Sequence, residues 1–216
     1  KKRSRRAKKK TIIDRFRGHF GSDPNVLAEI LEDLQTTDVE EAQVPAEKLN
    51  IKHFLMAMHH LKRYPTEIKR EAMFDISHMW GRDWCWFYIA RVQVLKAKKI
   101  TWPDDNFGDD IWTITVDGTH CWIQEPQHPT WSQDRKYYSH KYNKAGLNYE
   151  LGISLWESRL VWMKGPTKAG GNDLSVFLQK KGLKKKLIAT RKKGIGDGGY
   201  GGHPCELSTP NSNDFK

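Results

Sequence analysis

The chain is poor in cysteine and has no long apolar run, and each of these absences excludes a class of protein. Its 216 residues include three cysteines, Cys85, Cys121 and Cys205, which are odd in number and widely spaced. They do not provide the framework of a disulfide-rich secreted domain, so we expect a reducing, intracellular compartment. No segment approaches the roughly 20 apolar residues that a membrane helix needs, and no apolar secretory-signal segment follows the basic N-terminus. We therefore expect no membrane partner.

Acidic residues are outnumbered, and the excess positive charge is concentrated in two places. The sequence has 37 Lys and Arg against 26 Asp and Glu, a formal net charge of +11. Residues 1–10 (KKRSRRAKKK) contain no acid, and we expect residues 1–22 to be a basic, largely disordered tail. Such a run is typical of nuclear localisation or nucleic-acid binding, so we expect a nuclear protein. The second cluster comprises Lys180, Lys181, Lys184, Lys185, Lys186, Arg191, Lys192 and Lys193.

Apolar residues are frequent enough, at 38% with nine tryptophans, to build a folded core. Residues 23–100 carry apolar positions at helical spacing and form the predicted helical region. Asp23 followed by Pro24 predicts the start of its first helix, because Asp caps helices and Pro is favoured at the first helical position. Apolar positions recur in this helix at Val26, Leu27, Ile30, Leu31 and Leu34.

Two neighbouring helices within this region match a helix-turn-helix-like pattern. We predict a short helix over about residues 66–73, a tight turn over 74–76, and a longer helix capped by Ser77. In a DNA-binding unit of this kind, the first turn of the second helix lies nearest the bases, which makes His78 and Arg82 candidate DNA contacts. Many helix pairs share this spacing without touching DNA, so a purely structural role is the alternative. The apolar stripe of the longer helix comprises Trp80, Trp84, Phe87, Tyr88 and Leu95.

Residues 101–216 carry strand and helix signals in the order strand, strand, strand, helix, strand. The helix begins at Asp173, which can cap it. An RNase-H-like sheet has the same order: three antiparallel strands, then a helix, then a fourth strand parallel to the first and beside it. We therefore predict an α+β protein with an N-terminal helical region and an RNase-H-like mixed-sheet domain. The predicted strands cover residues 111–117, 147–156, 159–163 and 186–196.

Two acidic residues lie at the ends of the first and fourth predicted strands. Asp117 ends the apolar alternation of residues 111–116, and Asp197 follows the fourth strand within a glycine-rich turn. If these strands are adjacent, the two carboxylates can converge, and such pairs hold Mg²⁺, a hard cation that prefers oxygen ligands. Two such ions can stabilise the attacking and leaving oxygens of a phosphoryl displacement. An acid at a strand end is also often only a turn cap, which is the alternative.

Five short motifs surround these acids: Asp117-Gly118-Thr119-His120-Cys121, Tyr138-Ser139-His140-Lys141, Gly165-Pro166, Asn172-Asp173 and Gly196-Asp197-Gly198-Gly199-Tyr200. Together they resemble the DDE-superfamily endonuclease domain of Harbinger-like transposases, which cut and paste DNA transposons. The combination is specific, whereas any one motif alone would be weak. The resemblance covers about residues 110–205, and the block from Phe54 to Pro103 resembles the helical region that precedes this nuclease.

The resemblance implies a metal-dependent nuclease whose partner is double-stranded DNA, both transposon ends and target. Asp117 and Asp197 match the family's first two acids, so they would be the catalytic, metal-binding residues, with Mg²⁺ or Mn²⁺ as cofactor. The implied chemistry is hydrolysis of a phosphodiester, followed by strand transfer from the freed 3′-OH. Cutting of paired ends would require at least two copies of the protein, and hence a homo-oligomer.

The family's third acid lies on a later helix, some tens of residues after the second acid. Glu206 and Asp214 are too close to Asp197 and occur in loop-like sequence. We therefore expect the third acid beyond Lys216, an incomplete RNase-H-like sheet, and a fragment that is inactive by itself. A catalytically inactive, transposon-derived DNA-binding protein is the alternative function.

Lysines near the second acid are candidate phosphate contacts, which would make DNA binding strongly dependent on salt. For a lysine on a strand, such as Lys141, a solvated side chain without a ligand is an equally good interpretation. The candidate nucleic-acid-binding lysines are Lys184, Lys185, Lys186, Lys192, Lys193 and Lys141.

Four further side chains raise a zinc-binding alternative: His120, Cys121, His203 and Cys205. Zinc favours Cys and His ligands in tetrahedral arrangement. The spacings here are His-Cys and His-Pro-Cys, however, and not the usual pair of cysteines separated by two to four residues. Packing of His120 beside Asp117 is the simpler expectation.

Overall fold

The structure is a computed structural model that describes residues 5–103, 111–124 and 134–210. It divides the chain into two compact units, residues 1–99 (unit 1) and 100–216 (unit 2), close to the boundary expected from the sequence. The fold is α+β, with helices in unit 1 and a mixed sheet with helices in unit 2. In the described part of the chain, no helix has the length and apolar character needed to cross a bilayer.

Unit 1 is built from helices. The helix start predicted at Asp23-Pro24 is confirmed, and it is the start of the second helix of unit 1. Asp23 Oδ1 accepts a hydrogen bond from the Asn25 N–H at 3.0 Å, and Pro24 is the first helical residue. The helices are α1 (Arg5–Phe20), α2 (Pro24–Thr36), α3 (Ile51–Arg63), α4 (Glu67–Phe74), α5 (His78–Val94) and α6 (Lys96–Lys99), with a 3-10 turn at Ala46–Lys48.

The N-terminal segment differs from the prediction of a largely disordered tail over residues 1–22, because most of it forms α1. Lys, Arg and Ala have high helix propensity, so a basic composition does not oppose a helix. Phe16 and Phe20 lie one turn apart with ring centroids separated by 4.6 Å, and both pack against the core of unit 1. Burial of these two rings supplies the tertiary stabilisation that a short isolated helix lacks.

Tyr88 of α5 occupies the centre of unit 1. It is fully buried, and its hydroxyl accepts a hydrogen bond from the Asn50 N–H at 2.9 Å. The same hydroxyl donates towards the Lys48 carbonyl at 3.2 Å, so it connects α5 to the segment before α3. The buried core around it comprises Leu27, Leu34, Ala42, Val44, Phe54, Ala57, Met58 and Leu95.

Helices α4 and α5 follow the predicted bounds closely. Asp75 ends α4 in the left-handed conformation (φ 46°), and α5 begins after Ser77, so three residues connect the two helices. Ser77 makes no side-chain cap hydrogen bond. Trp80 was expected on the packed stripe of α5, and this was wrong, since its side chain is 60% exposed. A small core cluster joins α3, α4 and α5 through Met56, Phe74 and Cys85.

Unit 2 is a mixed sheet with two helices. Its sheet order is β2-β3-β1-β5-β6, and β4 also pairs with β3. Strands β1, β3 and β4 are antiparallel neighbours, whereas β5 is parallel to β1 and β6 is parallel to β5. The elements are β1 (Trp112–Trp122), β2 (Tyr138–Ser139), β3 (Lys144–Ser154), β4 (Leu160–Lys168), α7 (Asp173–Phe177), α8 (Leu183–Thr190), β5 (Lys193–Ile195) and β6 (Leu207–Ser208).

The fourth predicted strand, residues 186–196, is wrong over its first half. Helix α8 continues to Thr190, Arg191 ends it in the left-handed conformation (φ 54°), and only Lys193–Ile195 is strand. Leu183 and Leu187 explain the difference, because they are spaced one helical turn apart and are both fully buried.

Helices α7 and α8 cover one face of the sheet. Ile114 and Val116 of β1 lie in one buried core with Phe177 of α7 and Leu187 of α8. Side chains alternate between the two faces of a strand, so Gly118 lies on the same covered face as Val116. The remaining buried members of this core are Val161, Leu183, Tyr200 and Leu207.

Candidate functional site

Asp117 and Asp197 lie at corresponding positions on two adjacent parallel strands. In the β1–β5 ladder, Thr115 is the partner of Ile195, and each aspartate follows its paired residue by two positions. Asp117 is still within β1 and pairs across the sheet with Leu151 of β3. The two aspartates therefore stand at the same register on neighbouring chain segments. The predicted end of the first strand at Asp117 is wrong, however, because β1 continues to Trp122, and only Asp197 lies beyond the end of its strand.

Both carboxylates are exposed, and each is fixed by a neighbouring backbone group. The Oδ1 atom of Asp117 accepts a hydrogen bond from the Gly118 N–H at 2.8 Å. The Oδ1 atom of Asp197 accepts one from the Gly199 N–H at 2.9 Å, which caps the short 3-10 helix Gly198–Tyr200. One oxygen of each carboxylate is therefore engaged locally.

A third carboxylate, that of Asp173, lies against both of these segments. Asp173 is the first residue of α7, and a Cβ atom built on Gly118 would be 2.2 Å from Asp173 Oδ1. A Cβ atom built on Gly199 would be 3.0 Å from Asp197 Oδ1 and 3.7 Å from Asp173 Oδ2. The Asp173 carboxylate therefore reaches from the β1 segment after Asp117 to the turn after Asp197.

Glu150 is a fourth carboxyl group, and it is buried. It is the cross-strand partner of Gly118, is 1% exposed, and accepts a hydrogen bond from Trp162 Nε1 at 2.8 Å through Oε1. Burial raises the pKa of Glu150 to about 7, the charge of Asp173 adds to this, and the Trp162 hydrogen bond acts in the opposite direction. The group therefore changes its protonation near neutral pH.

Two other buried polar side chains complete the surroundings. Asn148, which is 1% exposed, donates a hydrogen bond from Nδ2 to Asp173 Oδ1 at 3.0 Å. Tyr200 is fully buried, and burial together with nearby negative charges raises the pKa of its hydroxyl. Among the residues that the structure describes, three buried atoms here have no hydrogen-bond partner: Asn148 Oδ1, Glu150 Oε2 and the Tyr200 hydroxyl. The charges that act on Tyr200 come from Glu150, Asp173, Asp117 and Asp197.

The sequence analysis did not identify Asp173, Asn148 or Glu150 as site candidates. It assigned Asp173 to a helix cap, whereas Asn172 is the cap, with its Oδ1 accepting a hydrogen bond from the Ser175 N–H at 2.9 Å. It gave no role to Asn148 or Glu150. One signal was available for Glu150, since it is the single acidic residue of β3, a strand that was predicted to be largely apolar.

The acids do not form a complete metal-ligand group by themselves. Within residues 5–103, 111–124 and 134–210, no three side chains of His, Cys, Asp or Glu are grouped so that they could hold an ion. The zinc alternative gains no support from the same residues. His120 stacks on Trp122 at 6.1 Å and contacts Tyr142 at 5.3 Å, while Cys121 and Cys205 are exposed.

Several of the predicted phosphate-binding lysines make local contacts within unit 2. Lys184 Nζ is 3.1 Å from His203 Nδ1, and Lys193 Nζ donates to the Pro204 carbonyl at 3.2 Å. Both side chains therefore hold the loop that follows Asp197. Lys186 Nζ lies 5.3 Å from the centre of the Trp102 ring.

The other predicted DNA contacts differ in exposure. Lys185 is exposed on α8, Lys192 is partly exposed before β5, and Lys141 is exposed with its Nζ 5.4 Å from the Tyr142 ring centre. In unit 1, both His78 and Arg82 are exposed in the first turns of α5, as a DNA contact requires.

Comparison of the chain with known protein families, curated proteins and solved structures gave no match. The resemblance to DDE endonucleases is therefore supported by the sequence motifs alone, and any inference about function has to be argued from these motifs and the geometry of the site.

Proposed function

We propose that this chain is a transposase-type DNA endonuclease that hydrolyses phosphodiesters with a divalent metal ion and then transfers the cut strand. One observation supports this most directly. Asp117 and Asp197 follow the paired residues Thr115 and Ile195 by the same number of positions on adjacent parallel strands. The motif resemblance implies two metal-binding acids on adjacent strands, and the strand register agrees with that expectation.

The topology of unit 2 supports an RNase-H-like fold. Strand β3, antiparallel to both β1 and β4, forms a three-stranded set with them that precedes two short helices and then β5, which is parallel to β1 and adjacent to it. This is the order expected for an RNase-H-like sheet. Strand β6 adds a further parallel neighbour at the outer side of β5.

The donor set fits Mg²⁺ or Mn²⁺, because carboxylate oxygens are the ligands that such hard cations prefer. Asp117 and Asp197 would hold the ion, and the backbone N–H groups of Gly118 and Gly199 restrict the rotation of their carboxylates. When bound, one such ion would supply a nucleophilic water at neutral pH, and a second would stabilise the leaving 3′ oxygen. Both acids are exposed, so a DNA backbone can approach them directly.

Binding to double-stranded DNA is supported by charge and exposure. The chain has a net charge of +11, and Lys185 and Lys141 are exposed in unit 2. Neutralisation of DNA phosphates by such side chains releases counterions and strengthens binding at low salt. In unit 1, the three-residue connection between α4 and α5 fits a helix-turn-helix-like unit, with His78 and Arg82 at the start of the second helix. We place the protein in the nucleus because its proposed partner is DNA and because residues 1–10 form a basic run typical of nuclear localisation.

Nicking of plasmid DNA by the full-length gene product in Mg²⁺ or Mn²⁺ tests the proposal. We expect nicking that is lost in Asp117→Ala and in Asp197→Ala and retained in Glu157→Ala, an exposed acid of unit 2 outside the site. Circular dichroism of each variant shows whether the fold is kept. Undiminished nicking after replacement of both aspartates would refute the site assignment.

Duplex binding without cleavage in either metal would favour the alternative, a catalytically inactive, transposon-derived DNA-binding protein. A gel-shift titration at several salt concentrations measures that binding separately from cleavage. We expect Lys185→Ala to reduce the steepness of the salt dependence by about one released counterion.

A further inference from the structure

We propose that a cavity of unit 1, between α1, α3 and α4, is a phosphate-binding site that holds one phosphate of the DNA backbone. The assignment of this phosphate to DNA rests on the proposed function. The cavity has a volume of about 420 Å³. Its lining includes four side chains that carry or can gain a positive charge: His19 of α1, His59 and Arg63 of α3, and Lys69 of α4.

The positive charge around this cavity is not balanced by acids. No acid is present in the part of its lining that the structure describes. Arg63 and Lys69 are both exposed, and neither forms an ion pair with another described residue. Glu67 lies between them in the chain, but its Oε1 is 3.9 Å from Arg70 Nη2. Cations placed together repel one another, and a bound phosphate would offset that repulsion through charge-assisted hydrogen bonds.

His59 is a buried polar side chain in the lining of the cavity. It is 6% exposed, and its Nδ1 atom is buried without a hydrogen-bond partner among the residues that the structure describes. Its ring stacks on that of His19 with centroids 6.1 Å apart. Burial lowers the pKa of His59, and the charges of His19, Arg63 and His60 lower it further. Buried polar atoms without a partner need an explanation, and a phosphate oxygen is an acceptor for an imidazole N–H.

The start of α4 contributes the backbone part of the site. Thr66 caps this helix, with its Oγ1 accepting a hydrogen bond from the Lys69 N–H at 3.4 Å, and both residues line the cavity. The backbone N–H groups at the start of a helix favour a bound anion. Lys69 lies in the first turn, where a cation opposes the helix dipole. Helix stability therefore does not account for a lysine at this position, whereas a phosphate ligand does.

The cavity adjoins the surface that we propose to face DNA. A second cavity, of about 250 Å³, shares Tyr64, Pro65 and Thr66 with the first and is also lined by Arg82, a candidate DNA contact. In helix-turn-helix units the first helix crosses the DNA backbone while the second lies in the major groove. Helix α4 is the first helix of this pair, so a backbone phosphate at its start would fix the position of α5 on the duplex.

Fluorescence anisotropy of a labelled DNA duplex, titrated with the 216-residue chain at several salt concentrations and with a chelator present, tests the site without cleavage. We expect the double variant Arg63→Ala/Lys69→Ala to bind more weakly and to lower the salt slope by about one. Between about 50 and 200 mM salt, the unaltered chain should then lose about 3.5-fold more affinity than the variant. Lys48→Ala/Lys96→Ala removes the same charge from exposed lysines of unit 1 outside the cavity and should keep the unaltered slope. Circular dichroism shows whether each variant is folded, and Arg63→Gln/Lys69→Gln replaces the alanine variant if it is not.

Nuclear magnetic resonance of the His19 and His59 rings, during addition of inorganic phosphate at constant ionic strength, measures phosphate binding separately from DNA. We expect saturable shifts of both rings in the unaltered chain and weaker binding in Arg63→Ala/Lys69→Ala. Chloride added to the same ionic strength should not produce these shifts.

The outcomes separate the phosphate site from the proposed function. An unchanged salt slope in the cavity variant, or an equal reduction in both double variants, overturns the site and leaves DNA cleavage standing. Ring shifts with an unchanged slope also overturn it, because the occupant would then be free phosphate. A lower slope in the cavity variant alone supports the site, and it does so even if the full-length gene product fails to nick DNA, which contradicts only the proposed nuclease. Absence of duplex binding by the unaltered chain overturns both.

Discussion

Replacement of Glu150 by Gln should make the protein more stable at alkaline pH and remove part of its pH dependence. Glu150 is 1% exposed, and burial raises its pKa from the ordinary value of 4.5 to about 7. Gln has nearly the same shape, keeps an oxygen to accept the Trp162 N–H, and carries no charge at any pH. The substitution therefore removes the cost of burying a carboxylate while it preserves the packing.

The direction and size of the effect follow from the two pKa values. The folded protein holds the Glu150 proton more tightly than the unfolded chain, so protonation favours the folded state. The stabilisation is complete below the unfolded value of 4.5 and is lost as the pH rises to the folded value of about 7. A difference of this size corresponds to about 3 kcal/mol in the free energy of unfolding.

Urea denaturation of the unaltered protein and of Glu150→Gln, from about pH 4.5 to pH 8 and with a chelator present, measures this difference. We expect the two free energies of unfolding to be closest at the acidic end, with the variant increasingly more stable as the pH rises. Glu157→Gln, at an exposed position of the same unit, serves as the control and should follow the unaltered protein. A constant difference between Glu150→Gln and the unaltered protein across this range would refute the assignment of a raised pKa to Glu150.

Two paired comparisons test the packing around the site and in unit 1. Gly118→Ala places a methyl group 2.2 Å from Asp173 Oδ1 and should cost about 1–3 kcal/mol in thermal melts, whereas Gly198→Ala meets no atom within 4 Å and should stay within about 0.5 kcal/mol. Equal melting temperatures for the two variants would contradict the close approach of Asp173. Tyr88→Phe leaves the Asn50 N–H without its acceptor and should cost about 1–3 kcal/mol, whereas Tyr200→Phe removes an unpaired hydroxyl and should be neutral or stabilising. A larger loss in Tyr200→Phe than in Tyr88→Phe would show that the Tyr200 hydroxyl has a partner.

Local signals predicted the parts of the fold that local interactions determine. The Asp23-Pro24 pair indicated the start of α2 because a helix cap involves only neighbouring residues. The strand and helix signals predicted the order β1, β3, β4, α7 and β5 but missed β2, α8 and β6, and the glycine-rich turn marked the end of β5 before Asp197. The same signals failed for α8, where basic residues at Lys184–Lys186 and a short apolar run fitted either a strand or a helix. Burial of Leu183 and Leu187 one turn apart decides for the helix, and that burial depends on the rest of unit 2.

The sequence could not predict that Asn148 and Glu150 belong to the site, because the apolar pattern of β3 indicates the wrong buried face. Its apolar residues alternate as Leu147, Tyr149, Leu151 and Ile153, which by pattern alone would face the core. The structure places the intervening residues on the buried face, where β3 contacts α7, so Asn148 and Glu150 are buried. The face of β3 that the helices cover is determined by the packing of the whole unit, so a local stretch of sequence cannot predict it.

This reversal is itself an argument about function. Polar side chains on the covered face of a strand lower stability, because a buried carboxyl group and an unpaired amide oxygen are both costly to remove from water. Violations of local folding rules in natural proteins are concentrated at functional and strained sites. Here the two residues are Glu150, the cross-strand partner of Gly118, and Asn148, whose amide donates to Asp173 Oδ1. Packing alone does not explain two costly polar groups at one place, so they are a reason to test the proposed site of Asp117 and Asp197 for a bound ligand.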